Sequence, residues 1–172
     1  MQDPVIIEEA YTMRGVEPLL EEYGESHRHP VNKALHWVCV PLIVMTVLGF
    51  AWSLSVPAAF AAISPWLNWA TLAALAALAY YLLLSAPLAL GMLPVLALMF
   101  AALQALESLP WPLWQTCVAI FVVAWIGQFI GHAVEGKRPS FFKDLLFLLV
   151  GPLWLLAFVY RALGVPYRLG MR

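Results

Sequence analysis

The sequence predicts an all-α protein, a polytopic bundle of transmembrane helices, and three observations carry that expectation. Of its 172 residues 63% are apolar and 11% charged, against about 45 to 50% and about 25% in an average soluble domain. Ala34 to Leu106 runs for 73 residues without Asp, Glu, Lys or Arg. Ser/Pro clusters divide the apolar tract into pieces near the roughly 20 helical residues that cross a hydrocarbon core about 30 Å thick. A soluble globule of this size needs a polar skin that such a composition does not supply. A net charge of −1 with no basic stripe argues against nucleic acid and leaves the lipid bilayer as the expected surroundings.

One integral-membrane domain is expected, with 1–33 as surface helices and loop, 34–134 as a four-helix bundle, and 135–172 as a basic loop and apolar hairpin. The opening residues carry acids where a cleavable leader has a basic region, so none is expected. Asp3-Pro4 and Gly15 bracket a first short amphipathic helix; Glu17, Pro18 and Gly24 bracket a second around Leu19, Leu20 and Tyr23. The candidate spans are Trp37 to Val56, Trp66 to Leu84, Leu88 to Leu106 and Pro112 to Gly131. Pro57 to Pro65, Ser85 to Pro87 and Glu107 to Trp111 form the turns, and Pro94 kinks the third span.

Basic residues give an independent check, since cytoplasmic flanks hold an excess of them. Arg14, Arg28 and Lys33 precede the first span, Lys137, Arg138 and Lys143 follow the fourth, and none lies between Ala34 and Gly136. Four crossings put both flanks on the cytoplasmic side. Leu145 to Tyr160 is shorter and interrupted by Gly151-Pro152, which predicts a bent or re-entrant hairpin, with a tilted fifth span as the competing reading. Cys39 and Cys117 lie in apolar runs and read as buried thiols. The eight tryptophans read as interfacial anchors.

Against this background the histidines stand out by placement. His27, His29 and His36 cluster at the mouth of the first span, and His132 closes the fourth. If Pro30 begins a helix, Asn32 and His36 share a face, with His29 seven residues before His36 on the same face. Gln128, His132 and Glu135 form a second polar stripe, and two such stripes are cheaper facing each other than facing lipid. Neutral imidazoles suit a first-row transition ion such as iron, zinc or copper, and His27, His36 and His132 supply three ligands. The plainer alternative is a set of interfacial histidines that bond helix ends without an ion. His29, beside Arg28, reads as solvated or as a supporting residue. Asn32 and Gln128 read as interhelical hydrogen-bond partners or supporting groups, and Glu135 as such a group or as a partner of Lys137 or Arg138.

Two blocks, YGESHRHPVNKALHWVCVPL from Tyr23 and WIGQFIGHAVEGKRPSF from Trp125, resemble the membrane-bound 2-hydroxy fatty acid dioxygenases of fungi and bacteria. The likeness runs from Tyr23 to about Leu163. His27, Pro30, Asn32 and His36 followed by Val40-Pro41-Leu42 look like the family's first block; Gln128, Gly131, His132 and Pro139 look like its second. The resemblance implies ferrous iron on His27, His36 and His132 as the catalytic centre, while His29 stands where other members often have Asn. It also implies O2-dependent removal of one carbon from a 2-hydroxy fatty acid, in the inner membrane of a bacterium or the endoplasmic reticulum of a eukaryote, with the metal on the cytoplasmic side.

The chemistry is compatible with such a site. Three neutral ligands leave the ion's charge uncompensated, which favours an anionic 2-hydroxy carboxylate chelating through two oxygens. Arg28, Lys33, Lys137 and Arg138 can attract that head group, or serve only the positive-inside bias. One O2 then balances the shortened acid, CO2 and water, so NADPH or flavin is unnecessary, and no glycine-rich dinucleotide fingerprint occurs. The alternative is a non-enzymatic lipid-binding protein or small transporter whose polar residues line a pathway. A di-iron desaturase needs about twice the histidines that this chain has.

Overall fold

A computed structural model describes residues 15–137 and 144–167, and these form seven α-helices and no strand. In chain order they are α1 (Glu17–Glu25), α2 (Pro30–Trp52), α3 (Ala58–Ile63), α4 (Trp69–Leu84), α5 (Ala86–Glu107), α6 (Leu113–Glu135) and α7 (Asp144–Ala162). The helix expected between Asp3 and Gly15 falls outside the described residues, apart from its terminal Gly15.

Local chemistry explains the boundaries. Pro30 opens α2 at a position where a missing N–H costs nothing, and His29 Nδ1 caps it by accepting from the Val31 N–H at 3.2 Å. Asn68 Oδ1 caps α4 through Thr71 N at 3.0 Å, and Ser85 Oγ caps α5 through Leu88 N at 3.3 Å. Gly136, at φ 73°, ends α6 in the left-handed conformation. There Gly136 N bonds to Ala133 O at 3.2 Å and Lys137 N to His132 O at 3.3 Å, the paired bonds of a Schellman turn.

The helices α2, α5 and α6, at 23, 22 and 23 residues, are long and apolar enough to cross a membrane. That is one fewer than the four expected spans, because α4 begins at Trp69 rather than Trp66 and has 16 residues, about 24 Å of helix. The expected turn from Pro57 to Pro65 contains α3, and the turn at Ser85 is one residue long because Pro87 sits in the first turn of α5. Helix α5 runs through Pro94. Large apolar side chains such as Leu83, Leu98 and Val123 face outwards, as a hydrocarbon exterior permits.

The closest helix pair is α2 with α6, antiparallel along a seam of small residues. Asn32, Cys39 and Thr46 recur every seven residues on one side; Cys117, Ala124 and Gly131 do so on the other, and all six are buried. A Cβ at Gly131 would collide with Asn32 Oδ1, at Gly49 with Cys117 Sγ, and at Gly127 would stand 2.6 Å from Cys39 Sγ. Both thiols are buried and free, as expected.

The core has two large clusters and a small third one of Cys39, Ile43 and Ala124 between α2 and α6. Met45, Leu48, Ala74, Leu96 and Leu103 fill the large one nearest the Trp52 end of α2. Leu20, Tyr23, Val40, Tyr81, Leu88 and Trp154 belong to the other large one, and α7 contributes only towards the histidine end. The Tyr81 hydroxyl donates to Leu149 O at 2.9 Å and the Tyr160 hydroxyl to Pro87 O at 3.0 Å. Two points eleven residues apart on α7, about 16 Å, therefore meet the same α4–α5 corner. Helix α7 packs over the histidine end of the bundle, with Gly151 against Val40 and Tyr23 and Phe158 against Trp37.

The expected hairpin at Gly151-Pro152 is absent, since α7 is one continuous helix through Pro152. Gly151 serves close packing instead: a Cβ there would stand 3.0 Å from the Tyr23 hydroxyl and 3.1 Å from Val40 Cγ1.

Candidate metal centre

Three elements bring the histidines together. His36 lies on the second turn of α2, His132 on the last turn of α6, and His27 in the short loop between α1 and α2. All three are buried, at 2%, 9% and 5% exposure, and each offers one donor nitrogen within 4.8 Å of the others. Among the described residues this is the one group of three or more His, Cys, Asp or Glu side chains that converges so closely.

The ring orientations are set by backbone. His27 Nδ1 donates to the carbonyl of Tyr23 and His36 Nδ1 donates to the carbonyl of Asn32 at 2.9 Å, each four residues earlier. A carbonyl only accepts, so both Nδ1 atoms carry the proton and both Nε2 atoms present lone pairs. Those Nε2 atoms face each other at 2.8 Å. Burial lowers the His27 imidazole from its ordinary 6.5 to about 4, partly offset by the bond to Tyr23, so the ring is neutral at pH 7. His132 Nδ1 is buried without a hydrogen-bond partner. Opposed lone pairs are unfavourable as they stand and fit a cation shared between them.

Aromatic side chains enclose the loop ring. Tyr23 stacks on His27 with centroids 4.2 Å apart and planes 9° from parallel, and Trp154 of α7 lies at 5.6 Å. The sequence reading passed over both. Tyr23 carried a signal, since a residue four before His27 can supply the carbonyl that orients it. Trp154, 7% exposed, had none, because its place beside His27 depends on how α7 packs against the rest of the bundle.

The supporting polar residues sort differently from expectation. His29 is exposed, outside the cluster, and caps α2. Glu135 pairs with backbone rather than with Lys137: Oε1 accepts from Arg28 N at 2.9 Å, and Oε2 from His29 N at 2.8 Å and from Asn32 Nδ2 at 3.1 Å. Asn32 also donates to Ser26 O at 3.0 Å, while its Oδ1 is buried without a partner against Gly131. Lys137 Nζ donates to Glu25 O at 2.8 Å. Gln128, one turn before His132, is 5% exposed. Arg28 is exposed, Lys33 is half-buried, and Arg138 lies outside the described residues.

Three helices long and apolar enough to cross a membrane and a buried, all-imidazole cluster compatible with one metal ion set the class of protein. The chain belongs to the family described as 2-hydroxy-palmitic acid dioxygenase Mpo1-like, which it matches over residues 13–163. No curated protein and no solved structure matches it.

Proposed function

We propose that the protein is an iron(II)-dependent dioxygenase that shortens 2-hydroxy fatty acids by one carbon at the cytoplasmic face of its membrane. The observation that carries this reading is the convergence of three buried imidazoles, His27, His36 and His132, in a chain whose family is described by a 2-hydroxy acid dioxygenase. Arg28, Lys33 and Lys137 cluster in sequence and structure with the histidine end, and the positive-inside bias favours that end as cytoplasmic. Iron(II), when bound, supplies the centre at which O2 is reduced and a positive charge for an anionic head group.

The protein's own groups do the rest. His27 and His36 offer neutral donors whose tautomers are held by the Tyr23 and Asn32 carbonyls. Tyr23 and Trp154 cover the His27 ring and keep water from that side. We assign Gln128 as the uncharged hydrogen-bonding group that meets the substrate head from the membrane side, with the acyl chain continuing into hydrocarbon. In the overall reaction the C1–C2 bond breaks, C1 leaves as CO2, and C2 goes from alcohol to carboxylic acid. One O2 takes up the four electrons, and water completes the balance.

The test is metal analysis of anaerobically prepared protein, followed by product identification from a long-chain 2-hydroxy acid labelled at C1. The expected result is about one iron per chain, labelled CO2 and an acid one carbon shorter, with one O2 consumed per turnover. Protein without iron that leaves the label in the acid while still binding it overturns the enzyme and supports a lipid-binding role.

A further inference from the structure

The loop that carries His27 is gripped on both flanks by residues that follow His132. On one side Lys137 Nζ holds the carbonyl of Glu25 at 2.8 Å. On the other, the Glu135 carboxylate holds the N–H groups of Arg28 and His29 at 2.9 and 2.8 Å. These contacts join positions 107, 106 and 112 residues apart, yet their α6 partners lie three and five residues beyond His132. The Schellman turn at Gly136 separates the two grips, sending Glu135 to one flank and Lys137 to the other.

We infer that Glu135 and Lys137 are positioning residues, a two-point clasp that sets the loop histidine, His27, against His132. The inference rests on the proposed function only in taking His27 as a metal ligand. His36 and His132 need no such device, because their helices are locked by the small-residue seam between α2 and α6. His27 alone of the three sits outside a helix, and its backbone N–H already returns to Gly24 O at 3.0 Å. On its N-terminal side Ser26 O is held by Asn32 Nδ2 at 3.0 Å, whereas the Arg28 and His29 N–H groups that follow it are held by Glu135. Simple capping of α2 by Glu135 is the competing explanation. Capping predicts a stability loss indifferent to His27, whereas positioning predicts a metal-affinity loss that depends on it.

The test uses the full-length protein in detergent, with Co2+ as the probe for both affinity and its ligand-field spectrum. Glu135→Ala is expected to weaken Co2+ binding by about 10- to 100-fold, the usual effect of removing a group that orients a ligand, and to alter the visible bands. Glu135→Gln, which keeps one acceptor oxygen, restores part of the loss, and Lys137→Met gives a smaller one. In a His27→Ala background, Glu135→Ala is expected to cost no further affinity, because its effect passes through His27. Amide hydrogen exchange of metal-free Glu135→Ala is expected to quicken over residues 25–29 while the middle of α6 is unchanged. Unaltered Co2+ affinity, or an equal loss with and without His27, overturns the inference. Failure of the dioxygenase reading shows separately, as wild-type protein that binds Co2+ with these couplings intact and leaves 2-hydroxy acids untouched.

Discussion

His27 Nε2 and His36 Nε2 face each other at 2.8 Å while both Nδ1 protons are committed to backbone carbonyls. Two neutral imidazoles in these tautomers repel at that distance, so the arrangement gains when a cation sits between them and the nearby His132. The ring positions are set by α2, α6 and the loop between α1 and α2.

Removal of a ligand separates the cluster from its neighbours. His36→Ala and His132→Ala are expected to lose iron and O2 uptake together. His29→Ala is expected to keep both, at a stability cost of about 1 kcal/mol for the lost cap of α2. Metal analysis and oxygen-electrode traces on the three variants decide it, and an iron-free His29→Ala would reassign the ligands.

Acid should expose the buried loop histidine. His27 ordinarily titrates near 6.5 and is held at about 4 by burial. Between those values the unfolded chain takes up a proton that the folded chain refuses, so metal-free protein loses stability as pH falls from 6.5 to 4. Above 6.5 both states are neutral at this residue and the contribution vanishes. Unfolding midpoints of wild type and His27→Gln, followed across that window, are expected to shift relative to each other, wild type losing stability that the variant keeps as pH falls. Parallel curves would mean that His27 carries no such shift.

Gly131 packs against Asn32 where the helices that carry His36 and His132 meet. A methyl group there meets Asn32 Oδ1, and Asn32 is the residue whose carbonyl orients His36. Gly131→Ala is expected to destabilise by about 1 to 3 kcal/mol through overpacking and also to weaken metal binding. Gly136→Ala, strained only by its positive φ in open space, is expected to cost about 1 kcal/mol. Thermal unfolding with and without Co2+ compares the two, and equal metal affinity in both variants would contradict the Gly131 argument.

Gln128 offers a probe of substrate recognition. Leucine at this position is expected to leave iron content unchanged and to raise KM for a 2-hydroxy acid about tenfold, the loss of one buried hydrogen bond to the substrate. Steady-state kinetics on iron-loaded Gln128→Leu check it. A wild-type KM with a lowered kcat would instead tie Gln128 to the metal ligands.

Much of the site was legible because helical periodicity is local. Pro30 as the start of a helix places Asn32 and His36 on one face, and Gln128, His132 and Glu135 follow the same rule on α6. The long apolar runs located three helices long enough to cross a membrane, though the expected second span is a 16-residue helix and the first of the three begins at Pro30 rather than Trp37. The misreadings came where local signals had two meanings. Gly151-Pro152 looks like a break, but here glycine admits Tyr23 and Val40 against a continuous helix. Glu135 beside Lys137 looks like an ion pair, but the Gly136 turn directs them to different flanks of another loop.

By itself, then, the order of residues determined the helical membrane architecture and the candidate ligands, because hydropathy and helix phase need only neighbours along the chain. Only the tertiary structure decided that α7 packs over the histidine end, that Trp154 and Tyr23 enclose His27, and that the segment after His132 holds the loop on which His27 stands. Those are contacts between residues about a hundred or more positions apart in several cases, formed when packed helices bring distant peptide groups and rings within bonding distance, and no local pattern encodes them.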